Sequence, residues 1–223
     1  MKILSIDTAS NICGVSILED KKIICSLDSD TGRTHSENLM PMIKSAFNKT
    51  GINLNNIDLI VCDKGPGSFT GIRIGVGTVL AFKDSLNIPC IGISSLEALA
   101  YNINTDGIIC SLIDAKNNNV YFGVFEKKNN IVTQLEEFSF KTIDEIIPIL
   151  QKYNKIIFVG DGSTQHKEFL HSNFNTSTFS DKNDLSSFSL GLAGLNAYNQ
   201  NTNFDLMPLY LRKSQAERAL ENK

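Results

Sequence analysis

The sequence is poor in three features: it has no tryptophan, only three histidines and no excess of basic residues. It has 21 lysines and arginines and 24 aspartates and glutamates, which gives a net charge of −3. A protein that binds nucleic acid unaided usually carries a basic face or stripe, and none is visible in this sequence. We therefore expect this chain to contact RNA only through a partner.

The sequence also lacks paired cysteines and long apolar runs. Its five cysteines are odd in number and never spaced Cys-x-x-Cys, which argues against a disulfide framework or a zinc site and predicts buried, reduced thiols. No apolar stretch approaches the length of about 18 residues that a membrane crossing needs. A strand pattern begins directly after Met1, so we expect no signal peptide, no membrane association and a cytoplasmic location.

The first half of the chain, residues 1–104, is predicted to form one lobe. Apolar runs predict strands at 2–8, 13–19, 22–27, 57–62 and 88–93. Helices are predicted at 34–51, 71–86 and 94–100. The first and last of these helices begin with the pattern of a capping box, Thr34 with Glu37 and Ser94 with Glu97.

The second half, residues 105–223, is predicted to form a smaller lobe. Strands are predicted at 108–114, 120–125, 131–138 and 155–159, and helices at 142–153, 165–171 and 187–198. The stretch 172–184 is polar and predicted to be irregular, and the charged residues 213–223 are predicted to fray. The helix at 187–198 is a candidate to pack back on the first lobe.

The two halves repeat one another in order and in the position of their acids. Asp7 and Asp114 each end the first strand of a half, and Asp63 and Asp161 each follow a later strand. A duplicated βββαβα unit with acids at strand ends is the layout of the actin and sugar-kinase superfold, whose members bind a nucleotide between two lobes. We therefore predict an α/β protein of two ribonuclease-H-like lobes.

A glycine-rich segment lies between the 57–62 strand and the second helix: Gly65-Pro66-Gly67-Ser68-Phe69-Thr70-Gly71-Ile72-Arg73-Ile74-Gly75. Free amides at a helix start attract anions, so a phosphate cradle is one hypothesis. The spacing fits neither common fingerprint, because a dinucleotide loop needs glycine where Thr70 stands and a P-loop needs Gly-Lys-Ser/Thr. The alternative is a structural turn that packs a strand on a helix.

This eleven-residue run resembles the signature of the TsaB family. TsaB is the non-catalytic partner of TsaD in bacterial synthesis of threonylcarbamoyladenosine on transfer RNA. The segment from Pro208 to Arg212 also resembles a feature of that family. The resemblance implies the two-lobed superfold, a role without catalysis, and work with TsaD and the ATPase TsaE on the adenosine next to the anticodon.

Neither the acids nor the histidines form a complete catalytic pattern. The superfold's phosphate hairpins usually have glycine just after the aspartate, whereas Ala9-Ser10 and Lys116-Asn117 stand in its place after Asp7 and Asp114. Leu39 stands four residues after His35, where a second metal ligand would be needed on the same helix face. We therefore expect no catalytic residue, no metal and no cofactor in this chain.

The second helix is predicted to be apolar on two opposite sides, which is typical of a helix buried on both. Ile72, Val76, Val79 and Leu80 are predicted to cover the sheet. The resemblance implies that the other side meets TsaD. On the first helix, Met40, Met42 and Phe47 make the apolar face wider than one core contact needs. The predicted partner interface combines these three residues with the other side of the second helix: Ile74, Gly77, Thr78 and Ala81.

The sequence leaves alternatives open for what covers the second apolar side of the 71–86 helix and for the function. Another segment of this chain, such as 187–198, would also account for an apolar second face. Without TsaD the same face would favour a homodimer, because exposed apolar patches self-associate. The rival functions are a small-molecule kinase of the same superfold, a metalloprotease and an actin-like filament protein.

Overall fold

The computed structural model describes residues 1–30, 34–202 and 205–212, so the predicted fraying of 213–223 lies outside the described residues. The first lobe contains β1 (Lys2–Asp7), β2 (Cys13–Glu19), β3 (Lys22–Ser29), α1 (His35–Thr50), β4 (Leu59–Asp63), α2 (Phe69–Leu86), β5 (Cys90–Ile93) and α3 (Ser95–Ala100). The second half of the chain contains β6 (Gly107–Asp114), β7 (Asn119–Lys128), β8 (Ile131–Gln134), β9 (Ser139–Thr142), α4 (Ile143–Leu150), β10 (Ile156–Val159), α5 (Asp161–Gln165), α6 (Lys167–Asn173), β11 (Thr178–Phe179) and α7 (Ser187–Asn199), of which α7 packs on the sheet of the first lobe.

Each lobe is built on one mixed sheet. The first sheet has the order β3-β2-β1-β4-β5, in which β1, β2 and β3 are antiparallel neighbours and β4 and β5 run parallel to β1. The second has the order β11-β10-β6-β7-β8, in which β6 and β7 are antiparallel and β10 runs parallel to β6. The predicted two-lobed α/β fold is confirmed.

Parallel pairing brings the carboxyl ends of neighbouring strands to the same edge of a sheet. In the first sheet Ile6 is registered with Cys62, so Asp7 and Asp63 follow at adjacent strand ends. In the second sheet Val159 of β10 is registered with Ser111 of β6, which brings the segments that carry Asp114 and Asp161 together. The repeated topology therefore places one pair of acids in each lobe.

The helices and sheets stack in five layers. On the outer face of the first sheet, α1 and α2 share a core with β1, β2 and β4. On its inner face, α7 packs on β1, β2, β4 and β5, while α3 contacts both α7 and the second sheet. The outer face of the second sheet is covered by α4 and α6.

The second lobe departs from its predicted pattern in three places. Only residues 131–134 of the strand expected at 131–138 form a strand, β8, and a further short strand, β9, follows at Ser139–Thr142; both pair with the ten-residue β7, at its opposite ends. The helix expected at 165–171 is divided at His166 into α5 and α6. The stretch expected to be irregular includes the short strand β11, which extends the sheet beyond β10.

Candidate functional site

The glycine loop that precedes α2 is seated directly on the turn after β1. The backbone N–H of Ser68 donates to the carbonyl oxygen of Ala9 at 2.7 Å, and the Thr8 hydroxyl donates to the carbonyl oxygen of Gly71 at 2.7 Å. A side chain at Gly67 would collide with the carbonyl oxygen of Ala9. The loop thus occupies the space in front of the first strand end.

The α2 helix begins at Phe69, two residues before the predicted start, because Ser68 caps it by accepting a hydrogen bond from the Gly71 N–H at 3.2 Å. A left-handed backbone occurs at Gly65, whose φ is +97°, and not at Gly67. Glycine is therefore required at position 67 because the backbone of Ala9 lies so close, and not because the φ angle is positive.

The two acids under this loop are buried together. Asp63 is fully buried, and its Oδ1 accepts hydrogen bonds from the Gly65 N–H at 2.7 Å and the Ser95 hydroxyl at 2.6 Å. Burial raises the pKa of Asp63 to about 7. Burial, with the nearby charge of Asp63, also raises the pKa of Asp7 well above its usual range. Simultaneous ionisation of two such carboxyls is unfavourable at neutral pH, because burial and their mutual repulsion both favour the protonated form.

The corresponding acids of the second lobe fix a turn. The Asp161 carboxylate accepts from the Asp114 N–H at 2.9 Å, and Asp114 in turn accepts from the Lys116 N–H at 2.9 Å. Burial pushes the pKa of Asp114 up, but the hydrogen bonds and charge of Lys116 outweigh it and hold that pKa below its usual value. The residues Lys116, Asn117 and Asn118 are all left-handed, with φ between 54° and 65°.

A cleft of about 370 Å³ separates the glycine loop from this turn. Its charged lining residues are Asp114, Asp161, Asp184 and Lys116. The lysine is held in an ion pair with Asp114 at 2.6 Å, so the cleft has an acidic excess. An acidic surface disfavours the phosphate groups that nucleotide sites of this superfold hold.

The histidines do not assemble a metal site. His35 lies at the start of α1, and its Nε2 is 2.8 Å from the carbonyl oxygen of Ser10. Leu39, four residues later, is buried in the core. Among residues 1–30, 34–202 and 205–212, no three histidine, cysteine or acidic side chains are grouped so that they could hold a metal ion.

The predicted partner residues lie on the outer surface of α1 and α2. Met40 is 50% exposed, Gly77 and Ala81 are exposed, and the other four members are partly buried: Met42, Phe47, Ile74 and Thr78. The alternative that α7 covers this side is wrong, because α7 packs on the opposite face of the first sheet. Leu80, expected to cover the sheet, is 39% exposed, since it lies at the margin of the buried arc about 80° from Ile72.

Sequence analysis missed a connection between the lobes, which we call the C-terminal strap (residues 205–212). Tyr210 stacks on Phe69 with ring centroids 4.7 Å apart, and its hydroxyl accepts from Arg73 Nε at 2.9 Å. At the other end, Arg212 Nη1 donates to the carbonyl oxygen of Ala115 at 3.1 Å. Pro208–Arg212 was noticed only as a family resemblance, because no periodicity marks a contact between distant segments.

The sequence of the chain is similar to those of known proteins that take part in one tRNA modification. The family model described as "TsaD: tRNA N6-adenosine threonylcarbamoyltransferase" matches residues 28–220. The tRNA threonylcarbamoyladenosine biosynthesis protein TsaB of Bacillus subtilis (strain 168) is 32% identical over 181 residues, which cover 80% of this chain and 79% of the relative.

Solved structures agree on the fold. YeaZ from Pseudomonas aeruginosa has a TM-score of 0.77 at 22% identity, covering 94% of this chain and 99% of that one. An inorganic polyphosphate/ATP-glucomannokinase from Arthrobacter sp. strain KM has a TM-score of 0.53 at 9% identity, covering 90% of this chain and 99% of that one.

The two lobes and the paired acids at their strand ends define a protein of the actin and sugar-kinase superfold. Within it, the sequence matches cover most of the chain and share one tRNA modification in their names. The chain belongs to the TsaB family, which is related to TsaD. No helix in the described part of the chain has the length and apolar character needed to cross a membrane.

Proposed function

We propose that this chain is a non-catalytic subunit for threonylcarbamoyl transfer to tRNA, which docks on and activates a TsaD partner. The family membership supports the pathway, and the exposed side of α2 supports the docking role. Gly77 and Ala81 leave that side nearly flat, and a methyl group at Gly77 would have no neighbour within 4 Å among the described residues. Small residues let a second helix approach closely, and the half-exposed Met40 adds apolar area on α1.

The closed strand end supports the absence of catalysis in this proposal. Ligands in open α/β sheets bind at the carboxyl ends of the strands. In this chain the glycine loop sits on the turn after β1, and Asp63 lies fully buried beneath it. Among the described residues that line the acidic cleft in front of the second lobe, the lysine is Lys116, which is already paired with Asp114 and is not free to balance a polyphosphate. Catalysis is then supplied by the partner.

The remaining parts of the proposal follow from this assignment. The partners are TsaD and TsaE in the cytoplasm, and tRNA is contacted only within the complex. The seven interface residues on α1 and α2 form the docking surface, which makes a homodimer when TsaD is absent. The lobes divide between residues 104 and 105, with α7 assigned to the first lobe because it packs on the first sheet.

The test is Ala81→Glu, which places a charge in the proposed interface. The matched control is Ser172→Glu, which places the same charge at an exposed position of α6 in the second lobe. Each variant is co-expressed with tagged TsaD from the same organism, and co-purification is measured together with the melting temperature of the variant alone. We expect Ala81→Glu to lose pairing while it melts like the control, because a desolvated charge against an apolar helix is costly.

Two outcomes would overturn the docking surface. Normal pairing of Ala81→Glu would place the interface elsewhere, and unfolding of the variant alone would assign Ala81 to the core. The rival kinase function is tested separately by calorimetry with magnesium-ATP on the isolated wild-type chain. Tight binding there, or turnover of a substrate by protein free of TsaD, would contradict the non-catalytic assignment.

A further inference from the structure

One acidic side chain has no role in the fold described so far. Glu97 stands at the position where a capping box would bring its carboxylate back to the start of α3, as the sequence predicts. Ser94 does cap the helix, by accepting from the Leu96 N–H at 3.2 Å, but Glu97 does not complete the box. Among the described residues, its carboxylate makes no hydrogen bond or ion pair.

Glu97 instead lines a cavity of about 370 Å³ on the junction of the lobes. The cavity lies at the carboxyl end of β5, between α3, the end of α7 and the second sheet. Its apolar wall includes Phe125 and Phe138, whose rings pack with centroids 5.8 Å apart. This volume is within the usual range for small-molecule sites, about 300–1,000 Å³. It is separate from the acidic cleft, with which it shares no lining residue.

Among the described residues, Glu97 has no ion-pair partner of its own in the cavity. Burial raises the pKa of Glu97 to about 7, while the positive charge of Lys64 lowers it. Lys64 is itself engaged by Asp205, with its Nζ 3.6 Å from the Asp205 carboxylate. The other titratable neighbour is Tyr101, whose pKa burial raises, so it stays neutral near pH 7. The charged residues that line the cavity are therefore Glu97 and Lys64, and Lys64 has its ion-pair partner in Asp205 beside the cavity.

We propose that this cavity binds a small organic cation, a primary amine carried on an apolar or aromatic body. The ammonium would pair with Glu97, and the body would pack against the aromatic wall. Ammonium groups are attracted both by a carboxylate and by the faces of aromatic rings. The proposal concerns a surface away from α1 and α2, so it stands or falls independently of the TsaD partnership.

The probe is phenethylamine, with phenethyl alcohol as its neutral analogue, titrated into the full chain and followed by calorimetry. We expect saturable binding of the amine, and binding of the alcohol weaker by about tenfold, because one charge-assisted hydrogen bond is lost. Glu97→Gln should weaken amine binding by a similar factor. The control is Glu126→Gln, which removes a charge from an exposed position of β7 outside the cavity.

The pH dependence provides a second readout. The amine stays protonated between pH 6 and pH 8, while the charged fraction of a carboxyl with a pKa of about 7 rises about tenfold. Wild-type protein should therefore bind the amine about tenfold more tightly at pH 8, and Glu97→Gln should lose this dependence.

A third variant guards against a folding defect in Glu97→Gln. Thr133→Trp fills the cavity from the exposed strand β8 without changing any charge, and it should abolish binding. No saturable binding of phenethylamine to wild-type protein overturns the proposal. Equal binding by Glu97→Gln, or by Thr133→Trp if Glu97→Gln does not fold, overturns it as well.

Discussion

The backbone N–H of Ser68 lies 2.7 Å from the carbonyl oxygen of Ala9 and donates a hydrogen bond to it. This bond joins the glycine loop before α2 to the turn after β1, two segments that are far apart in the sequence. It leaves no room for a side chain on Gly67, whose added Cβ would collide with the same oxygen. The loop thus closes off the carboxyl end of β1, and its contribution to the free energy of unfolding can be measured.

Gly67→Ala is expected to lower the free energy of unfolding by about 2 kcal/mol, because the backbone must shift to relieve the collision. The measurement is urea denaturation followed by circular dichroism. The control is Gly77→Ala, where a methyl group meets nothing within 4 Å in the middle of an exposed helix surface. That variant should gain up to about 1 kcal/mol, since alanine favours the helix. Equal stability of the two variants would contradict the close packing of Gly67 on the carbonyl oxygen of Ala9.

Asp63→Asn is expected to stabilise the chain above pH 7 and to change little near pH 4. The folded-state pKa of Asp63, about 7, lies above the ordinary 3.8, so the folded state holds more protons than the unfolded state between these values. Wild-type stability should therefore fall as pH rises through that window. Asparagine keeps an oxygen for the Gly65 and Ser95 donors and carries no charge.

For the same variant, melting curves at several pH values should show a gain of about 3 °C or more at pH 8. The matched control is Asp58→Asn, whose Oδ2 accepts from the Lys2 N–H in an exposed position. Its effect should not grow between pH 4 and pH 8 in the same way. A wild-type melting temperature that rises from pH 4 to pH 7 in parallel with Asp63→Asn would argue against a buried, protonated carboxyl.

Tyr210→Ala is expected to cost about 1–2 kcal/mol, because it removes the stack on Phe69, one of the contacts that hold the C-terminal strap on the first lobe. Tyr210→Phe should cost less than about 1 kcal/mol, since it keeps the ring and loses only the exposed bond to Arg73. Met207→Ala is the control in the same segment, because Met207 is 71% exposed. Urea denaturation compares the three, and equal values would show that the strap is not held by Tyr210.

Local pattern in the sequence determined the elements and their order. The apolar run Cys13–Glu19 forms a strand with the predicted bounds, and Thr34 with Glu37 begins a helix as a capping box because both interactions are made within four residues. The acids at the strand ends were also visible, since each follows an apolar run directly or after one glycine. These features depend on neighbours in the chain, which a sequence displays.

The tertiary structure alone decided which of these features are open to solvent and which face one another. Asp7 and Asp63 became a buried pair through parallel register, and the loop closed over them through contacts with Ala9. Glu97 fits a capping box by spacing, yet it lines a cavity that needs α7 and the second sheet to exist. Burial and charge pairing are set by segments that lie many residues apart, so no local pattern reports them.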